Sequence, residues 1–214
     1  MRRVGVLLSG CGVHDGSDVQ ETVLLILALR RRGARPVYLA PEVPQRDVVD
    51  HTSGTRDDDA QERQVLVEAA RLARGTVRKL GEVSAADLDA LVIPGGAGVI
   101  GNLCDAADRP LGGGPLLPEV RTLLDDLAGR RAPVGAVGLA HVIIDRHRER
   151  PLSNAPVSVP AREVVVDEDG SFLFTPGFMG GDELLEVSEG IDGMVERLLR
   201  MAKPAGAGRV TEGS

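Results

Sequence analysis

PVGAVGLAH (residues 133–141) is the most informative stretch of this chain, because it reads as an apolar strand that turns sharply into a helix. Residues 134–137 contain only apolar residues and glycine, as expected for a strand buried on both faces. Gly138 stands where the chain must turn, and glycine adopts the strained backbone of such a turn without steric cost. Turns of this kind present a nucleophile at their tip in enzymes. The stretch therefore predicts a nucleophile elbow that lacks its nucleophile.

Outward from this turn, apolar strands alternate with amphipathic helices. Strands are predicted at residues 4–8, 37–40, 90–93 and 134–137, with a hairpin over 164–174, and helices at residues 18–32, about 60–74, 116–127 and about 182–201. The alternation predicts an α/β fold with a doubly wound, mostly parallel sheet and helices on both faces. One domain is predicted over residues 1–202, followed by a disordered tail at 203–214.

Composition excludes several classes of function. The net charge is −7 and the basic residues are scattered, which argues against a nucleic-acid partner. No apolar run is long enough to span a membrane, and the apolar run at the N-terminus is too short for a secretory signal, so the sequence predicts a cytoplasmic protein. Two cysteines are too few for a disulfide framework or a zinc cluster. We predict no cofactor and no bound metal; a metal site at His14, Asp15 and His141 remains an alternative without characteristic ligand spacing.

Ligands of a doubly wound sheet bind at the carboxyl ends of its strands, and three unusual loops follow predicted strands. They are residues 9–18, residues 94–98 and the turn at Gly138. Glycine-rich loops expose backbone N–H groups that can point at a ligand oxygen. The predicted substrate-binding residues are Gly10, Gly95, Gly96, Gly138 and Leu139.

In this order, the loops resemble those of the DJ-1/PfpI superfamily, and within it the glyoxalase-like, isoprenoid biosynthesis-associated ElbB/ES1 group. The resemblance extends from Val4 to about Met201 and is carried by Ser9-Gly10-Cys11-Gly12, Asp15-Gly16-Ser17, Glu21-Thr22-Val23, Ile93-Pro94-Gly95-Gly96, Asn102-Leu103, residues 165–169 and Thr175-Pro176-Gly177-Phe178-Met179. It implies a flavodoxin-like, class I glutamine amidotransferase-like sandwich and a homodimer. It also implies action on small α-oxoaldehydes through an elbow cysteine, with Glu21 as its hydrogen-bonding acid and the amides of Gly95 and Gly96 in the oxyanion hole.

The sequence departs from this family in two places. Gly138 replaces the elbow cysteine, so the covalent route through a thiolate is closed. The segment 146–163 is also shorter than in relatives, where an additional strand and helix stand. We expect this loss to open one flank of the pocket or to leave a sheet edge that a partner subunit covers.

Four residues are candidates for catalysis: Glu21, His14, His141 and Cys11. Glu21 would carry a proton if it is desolvated; otherwise it is an inherited structural carboxylate bound to loop amides. The two histidines are expected to face one crevice and shuttle a proton, although His141 would serve equally to cap or pack the first turn of its helix. Cys11 is either a substitute nucleophile or a small packing residue, and Cys104 is interpreted as filler.

Two functions follow from this set. The first is an enzyme that acts on a small carbonyl-containing metabolite by acid–base chemistry without a cysteine, with a glyoxalase III-like lyase or hydrolase reaction. The alternative is an inactive relative that binds a metabolite or a protein partner through the inherited pocket.

Overall fold

The computed structural model describes residues 1–105, 114–149, 159–167 and 169–204. Its strands are β1 (Arg3–Leu7), β2 (Arg35–Ala40), β3 (Val49–Asp50), β4 (Thr55–Arg56), β5 (Arg78–Lys79), β6 (Ala90–Ile93), β7 (Val134–Val137), β8 (Val165–Val166) and β9 (Phe172–Thr175). Its helices are α1 (Val19–Arg31), α2 (Val65–Ala73), α3 (Gly98–Asn102), α4 (Pro118–Gly129), α5 (His141–Arg148) and α6 (Leu184–Met201). None of the described helices is long and apolar enough to cross a membrane.

Seven strands form one sheet in the order β5-β2-β1-β6-β7-β9-β8. All neighbouring pairs are parallel except β8 and β9, which form the predicted hairpin. The strand order reverses between β1 and β6, and a reversal of this kind opens a crevice at the carboxyl ends of the strands. The predicted doubly wound, mostly parallel α/β fold is confirmed.

Alternate side chains of the central strands enter separate cores on the two faces of the sheet. Val4 and Val6 of β1 pack with α1 and α6, in a core that includes Leu25 and Leu198. Leu7, together with Leu91 and Ile93 of β6, packs on the other face against α4 and α5. Because both faces are covered, the central strands are continuously apolar, as the sequence predicts.

Helix α2 begins later than predicted, at Val65 instead of residue 60. The residues before it bond to the loop after β2: Gln45 N–H donates to the carbonyl of Arg63, and Val65 N–H donates to the carbonyl of Val43. This extended pairing with another segment holds residues 63 and 64 out of the helix. Most of the predicted tail, residues 205–214, lies outside the described residues, as do residues 150–158 of the shortened segment.

Asn102, the last residue of α3, bonds to two loops with one side chain. Its amide donates to the carbonyls of Ser9 (2.8 Å) and Asp15 (2.9 Å), and its oxygen accepts from the N–H of Arg46 (3.0 Å). The side chain is buried. A buried amide that satisfies three backbone groups fixes the loop after β1 in one conformation.

Asn102→Ala is therefore expected to lower the free energy of unfolding by about 3 kcal/mol or more, because each buried group left without a partner costs about 1–3 kcal/mol. Urea unfolding followed by circular dichroism measures the loss. Thr122→Ala, which removes one exposed hydrogen bond to Pro118, is the control and should change stability by less than about 0.5 kcal/mol. Equal effects in the two variants would show that Asn102 does not hold these loops together.

Candidate active site

Glu21 lies in the first turn of α1, where the carboxyl ends of four neighbouring parallel strands meet. Its Oε2 accepts a hydrogen bond from Gly95 N–H after β6 (2.8 Å), and its Oε1 accepts one from Phe178 N–H after β9 (3.1 Å). Asp18 caps the helix with its Oδ1 bound to Glu21 N–H (3.0 Å), which fixes the direction of this turn. The side chain is 3% exposed. The strand ends thus surround one carboxyl group at the point where the strand order of the sheet reverses.

Burial raises the pKa of Glu21 from 4.5 to about 7, and the nearby charge of Asp18 adds to this shift. The backbone N–H groups of Phe178 and Gly95 oppose it, because they stabilise the ionised form. A carboxyl group with a pKa near neutrality can release and recover a proton at physiological pH. This property fits the predicted role of Glu21 as a proton carrier.

Three glycines enclose the carboxyl group of Glu21. A Cβ on Gly95 would lie 2.5 Å from Oε2, and a Cβ on Gly138 would lie 2.9 Å from Oε1. Gly177, which has a φ of +56°, approaches the same oxygen so closely that a side chain there would overlap it. Because these three residues have no side chains, the carboxyl group of Glu21 fits between them.

Gly138 has the backbone of a nucleophile elbow. Its φ is +53°, in the left-handed region, and it connects β7 to the short helical turn that leads into α5. A side chain here would start beside the carboxyl group of Glu21. The elbow predicted from the sequence is thus present, with its tip directed at the acid and without a nucleophilic atom.

The structure changes the expected roles of the two loop amides. Gly95 N–H is already bound to Glu21 and is not available to a substrate oxygen. Gly96, with a φ of +100°, packs its α-carbon against the loop after β1. Leu139 N lies 3.2 Å from the point that a Cβ on Gly95 would occupy, next to the carboxyl group. A role for Gly96 and Leu139 in binding a substrate oxygen stays a prediction.

His141 is held by the elbow itself. Its Nδ1 donates to the carbonyl of Gly138 (2.9 Å), and its ring packs edge-on against Phe174 with centroids 5.6 Å apart. These contacts match the interpretation of His141 as a residue that caps and packs the first turn of its helix.

His14 lies in different surroundings. It is exposed in the loop after β1, and its ring centroid is 5.0 Å from that of His51. It lines a cleft of about 340 Å³ that also contains Asp15, Arg46 and Arg56. His14 contacts His51, whereas His141 contacts Gly138 and Phe174, and a crevice shared by the two histidines stays a prediction. Gly10, with a φ of +108°, serves the turn of the same loop and packs near Gln45.

Neither cysteine has the surroundings of a reactive thiolate. Burial raises the pKa of Cys11, and the charge of Glu68 on α2 raises it further. Cys104 is buried, its sulfur contacts the guanidinium of Arg146, and burial again raises its pKa. A raised pKa keeps a thiol protonated and weakly nucleophilic. These surroundings favour packing roles for both.

Two partners of Glu21 were not predicted from the sequence. Gly177 and Phe178 belong to a segment that carried the family resemblance, but no role was assigned to them. A glycine directly after Pro176 was the available signal, since it marks a position of close backbone approach.

Known proteins support this architecture. The ES1 protein homolog, mitochondrial, of Rattus norvegicus is 32% identical over 228 aligned positions, which cover 93% of this chain and 84% of the relative. The chain belongs to the ES1 family. The crystal structure of an isoprenoid biosynthesis protein with an amidotransferase-like domain from Ehrlichia chaffeensis superposes with a TM-score of 0.82 at 29% identity, covering 92% of this chain and 99% of that one. No protein-family profile matches the chain.

The ES1 family fold extends to the wider superfamily. A DJ-1 superfamily protein from Agrobacterium tumefaciens has a TM-score of 0.51 at 15% identity, with 95% of this chain and 93% of that chain covered. The predicted resemblance to the ElbB/ES1 group is confirmed, and the likeness to the DJ-1/PfpI superfamily is confirmed at the level of the fold.

The predicted cytoplasmic location is contradicted by the ES1 relatives, because those from rat, human and zebrafish are all named mitochondrial. The prediction depended on the short apolar run at the N-terminus. Such a run argues against a secretory signal, but it does not separate the cytoplasm from an organelle whose import signals are amphipathic.

Glu21→Gln tests the burial of the carboxyl group through the pH dependence of stability. The pKa of Glu21 is raised on folding, so its proton stabilises the folded state fully below pH 4.5, and this contribution is lost as the pH rises through about 7. Between pH 4.5 and 8 the free energy of unfolding of the wild type should fall by about 3 kcal/mol relative to that of Glu21→Gln. A pH-independent difference in stability between the two proteins does not affect this comparison. Urea unfolding of both proteins at several pH values measures this loss. Parallel pH profiles would show that Glu21 titrates normally in the folded protein.

Proposed function

We propose that this ES1 family protein converts a small carbonyl-containing metabolite by acid–base chemistry, with Glu21 as the proton carrier and without covalent catalysis by cysteine. The supporting observation is the position of Glu21: a buried carboxyl group with a pKa near 7 stands at the tip of an elbow that offers no nucleophile. The family resemblance suggests an α-oxoaldehyde as the substrate class.

The hydrate of an α-oxoaldehyde offers a reaction that needs no thiol. Glu21 as a carboxylate removes the proton from C1, and the electrons form a C1–C2 double bond while the C2 oxygen becomes an enolate. The N–H groups of Gly96 and Leu139 stabilise this oxygen. Protonated Glu21 then returns the proton to C2, and a hydroxyl proton on C1 passes to the C2 oxygen as C1 becomes a carboxyl group. The product is a 2-hydroxy acid. No atom is gained or lost after hydration, so the reaction is an isomerisation related to that of glyoxalase III-like lyases.

A binding protein is the second candidate, and one observation favours it. Both oxygens of Glu21 already accept backbone hydrogen bonds, as they would in a carboxylate whose role is structural. A protein of this kind would retain the pocket for a metabolite or a protein partner and would show saturable binding without turnover.

Methylglyoxal consumption with detection of lactate distinguishes these functions. We expect the wild type to form lactate and Glu21→Gln to lose at least about a hundredfold in rate, as for removal of a general base. The pH–rate profile of the wild type should have an inflection near pH 7, the pKa of Glu21. Glu68→Gln, which changes another buried glutamate on α2, is the control and should retain the rate.

Gly138→Cys distinguishes a protein that has lost its reaction together with the elbow cysteine from one that reacts without a cysteine. Its Cβ would require Glu21 Oε1 to move by a few tenths of an ångström, and its thiol would lie beside the acid. If only Gly138→Cys forms lactate, the proposal is overturned and the natural protein is a binding relative. If the wild type is active and Glu21→Gln retains its rate, Glu21 is not the proton carrier.

We further propose a homodimer, as the family resemblance implies. Helix α1 exposes an apolar stripe at intervals of four residues, with Val19, Val23 and Leu27 being 43%, 53% and 41% exposed. A helix stripe of this kind is typical of a surface that contacts a partner.

Light scattering after size exclusion should give twice the chain mass for the wild type and a monomer for Val23→Glu, because the added charge would be buried in the interface. Val67→Glu, at an exposed valine on α2, is the matched control and should remain a dimer. A monomeric wild type at micromolar concentration would contradict the proposal.

A further inference from the structure

A second group of polar side chains lies outside the Glu21 site, where the β3–β4 hairpin packs on the loop after β1. It consists of His14 and Asp15 in the loop and His51 in the hairpin turn. The His14 and His51 ring centroids are 5.0 Å apart, and His51 Nε2 lies 3.7 Å from Asp15 Oδ1. Nothing in the proposed function uses these residues.

Asp15 carries a buried oxygen that no donor satisfies. Its side chain is 0% exposed, and Oδ2 accepts from Val49 N–H (2.9 Å). Oδ1 has no hydrogen-bond partner within the described parts of the chain. A buried carboxylate oxygen without a hydrogen-bond partner is costly, so a positive group beside Oδ1 would stabilise this loop.

His51 is oriented as a metal ligand would be. Its Nδ1 donates to the carbonyl of Val49 (3.0 Å), which places the lone pair of the neutral ring on Nε2. Nε2 accepts a long hydrogen bond from His14 N–H (3.3 Å), which a metal ion at Nε2 would replace, and faces Asp15 Oδ1, another acceptor. Histidines that bind metals typically donate their second ring nitrogen to a carbonyl in this way.

Gly12 leaves room beside these two acceptors. A Cβ on Gly12 would lie 2.5 Å from His51 Nε2 and 2.7 Å from Asp15 Oδ1, so any other residue would occupy the space between them. Nitrogen and oxygen ligands of a tetrahedral zinc ion lie about 3.3 Å apart, given metal–ligand distances near 2.0–2.1 Å. The observed 3.7 Å is a few tenths wider, which a small rotation of the His51 ring would close.

We propose that His14, Asp15 and His51 bind a divalent transition-metal ion such as Zn²⁺. Among the described residues no three His, Cys, Asp or Glu side chains already converge on one point. Asp15 and His51 supply the two fixed ligands, and rotation of the exposed His14 ring supplies the third. His14 and Asp15 also line a cleft of about 340 Å³, which lies next to the proposed site.

Titration calorimetry of tag-free protein with ZnCl₂ tests the proposal. We expect one Zn²⁺ per chain and a loss of affinity of more than about tenfold in His51→Ala, since even loss of an indirect partner of a metal costs about 10–100-fold. His147→Gln, at a histidine that pairs with Asp125, is the control and should bind as the wild type does. Co²⁺ should give visible d–d bands without an intense near-ultraviolet thiolate band, which excludes Cys11 as a ligand.

Asp15→Asn separates metal binding from a structural role. Its amide oxygen would still accept from Val49 N–H, and its NH₂ group would donate to His51 Nε2, so the metal-free protein should keep or raise its Tm. The increase in Tm that Zn²⁺ produces in the wild type should disappear. Absence of Zn²⁺ binding to the wild type at micromolar concentration, or unchanged binding in His51→Ala, would overturn the proposal.

Discussion

The buried carboxyl group of Glu21 is the interaction on which the arrangement of the site depends. It belongs to the helix after β1, it is bound by backbone N–H groups that follow β6 and β9, and the turn after β7 closes over it. Four strand ends are therefore positioned relative to one another by one side chain. Side chains on the surrounding loops would occupy the space of this carboxyl group, so glycines at these positions are a consequence of its burial.

The same arrangement determines which chemistry is accessible. Gly138 retains the left-handed backbone of a nucleophile elbow, but the reactive atom nearest its tip is a carboxyl oxygen. Thiolate attack is excluded at this position, whereas proton transfer is favoured because burial holds the pKa of Glu21 near neutrality. Since Gly95 N–H stabilises the carboxylate, fewer amides remain for a substrate. The site thus combines a buried acid with an elbow that carries no nucleophilic side chain.

The sequence predicted the architecture well because local pattern and global packing agree. Apolar runs such as residues 90–93 became central strands, and Asp18 began α1 as a capping residue does. Contacts between distant segments were not predictable. The late start of α2 depends on pairing with the loop at residues 43–45, and the partner of Glu21 at Phe178 is a backbone N–H that leaves no mark in residue type. The grouping of His51 with Asp15 depends on a hairpin packed on a remote loop.

The bond between Glu21 and Phe178 spans 157 residues, which has a consequence for synthesis of the chain. During synthesis β1, β6 and β7 leave the ribosome before β9. Glu21 of the first helix therefore gains its second backbone donor, Phe178 N–H, only after most of the chain has been made. Parallel pairing over such separations is slow, because loop closure precedes the contacts that reward it. This pocket is therefore completed late, and a chain that ends before Phe178 would leave the carboxyl group of Glu21 with one of its two backbone donors.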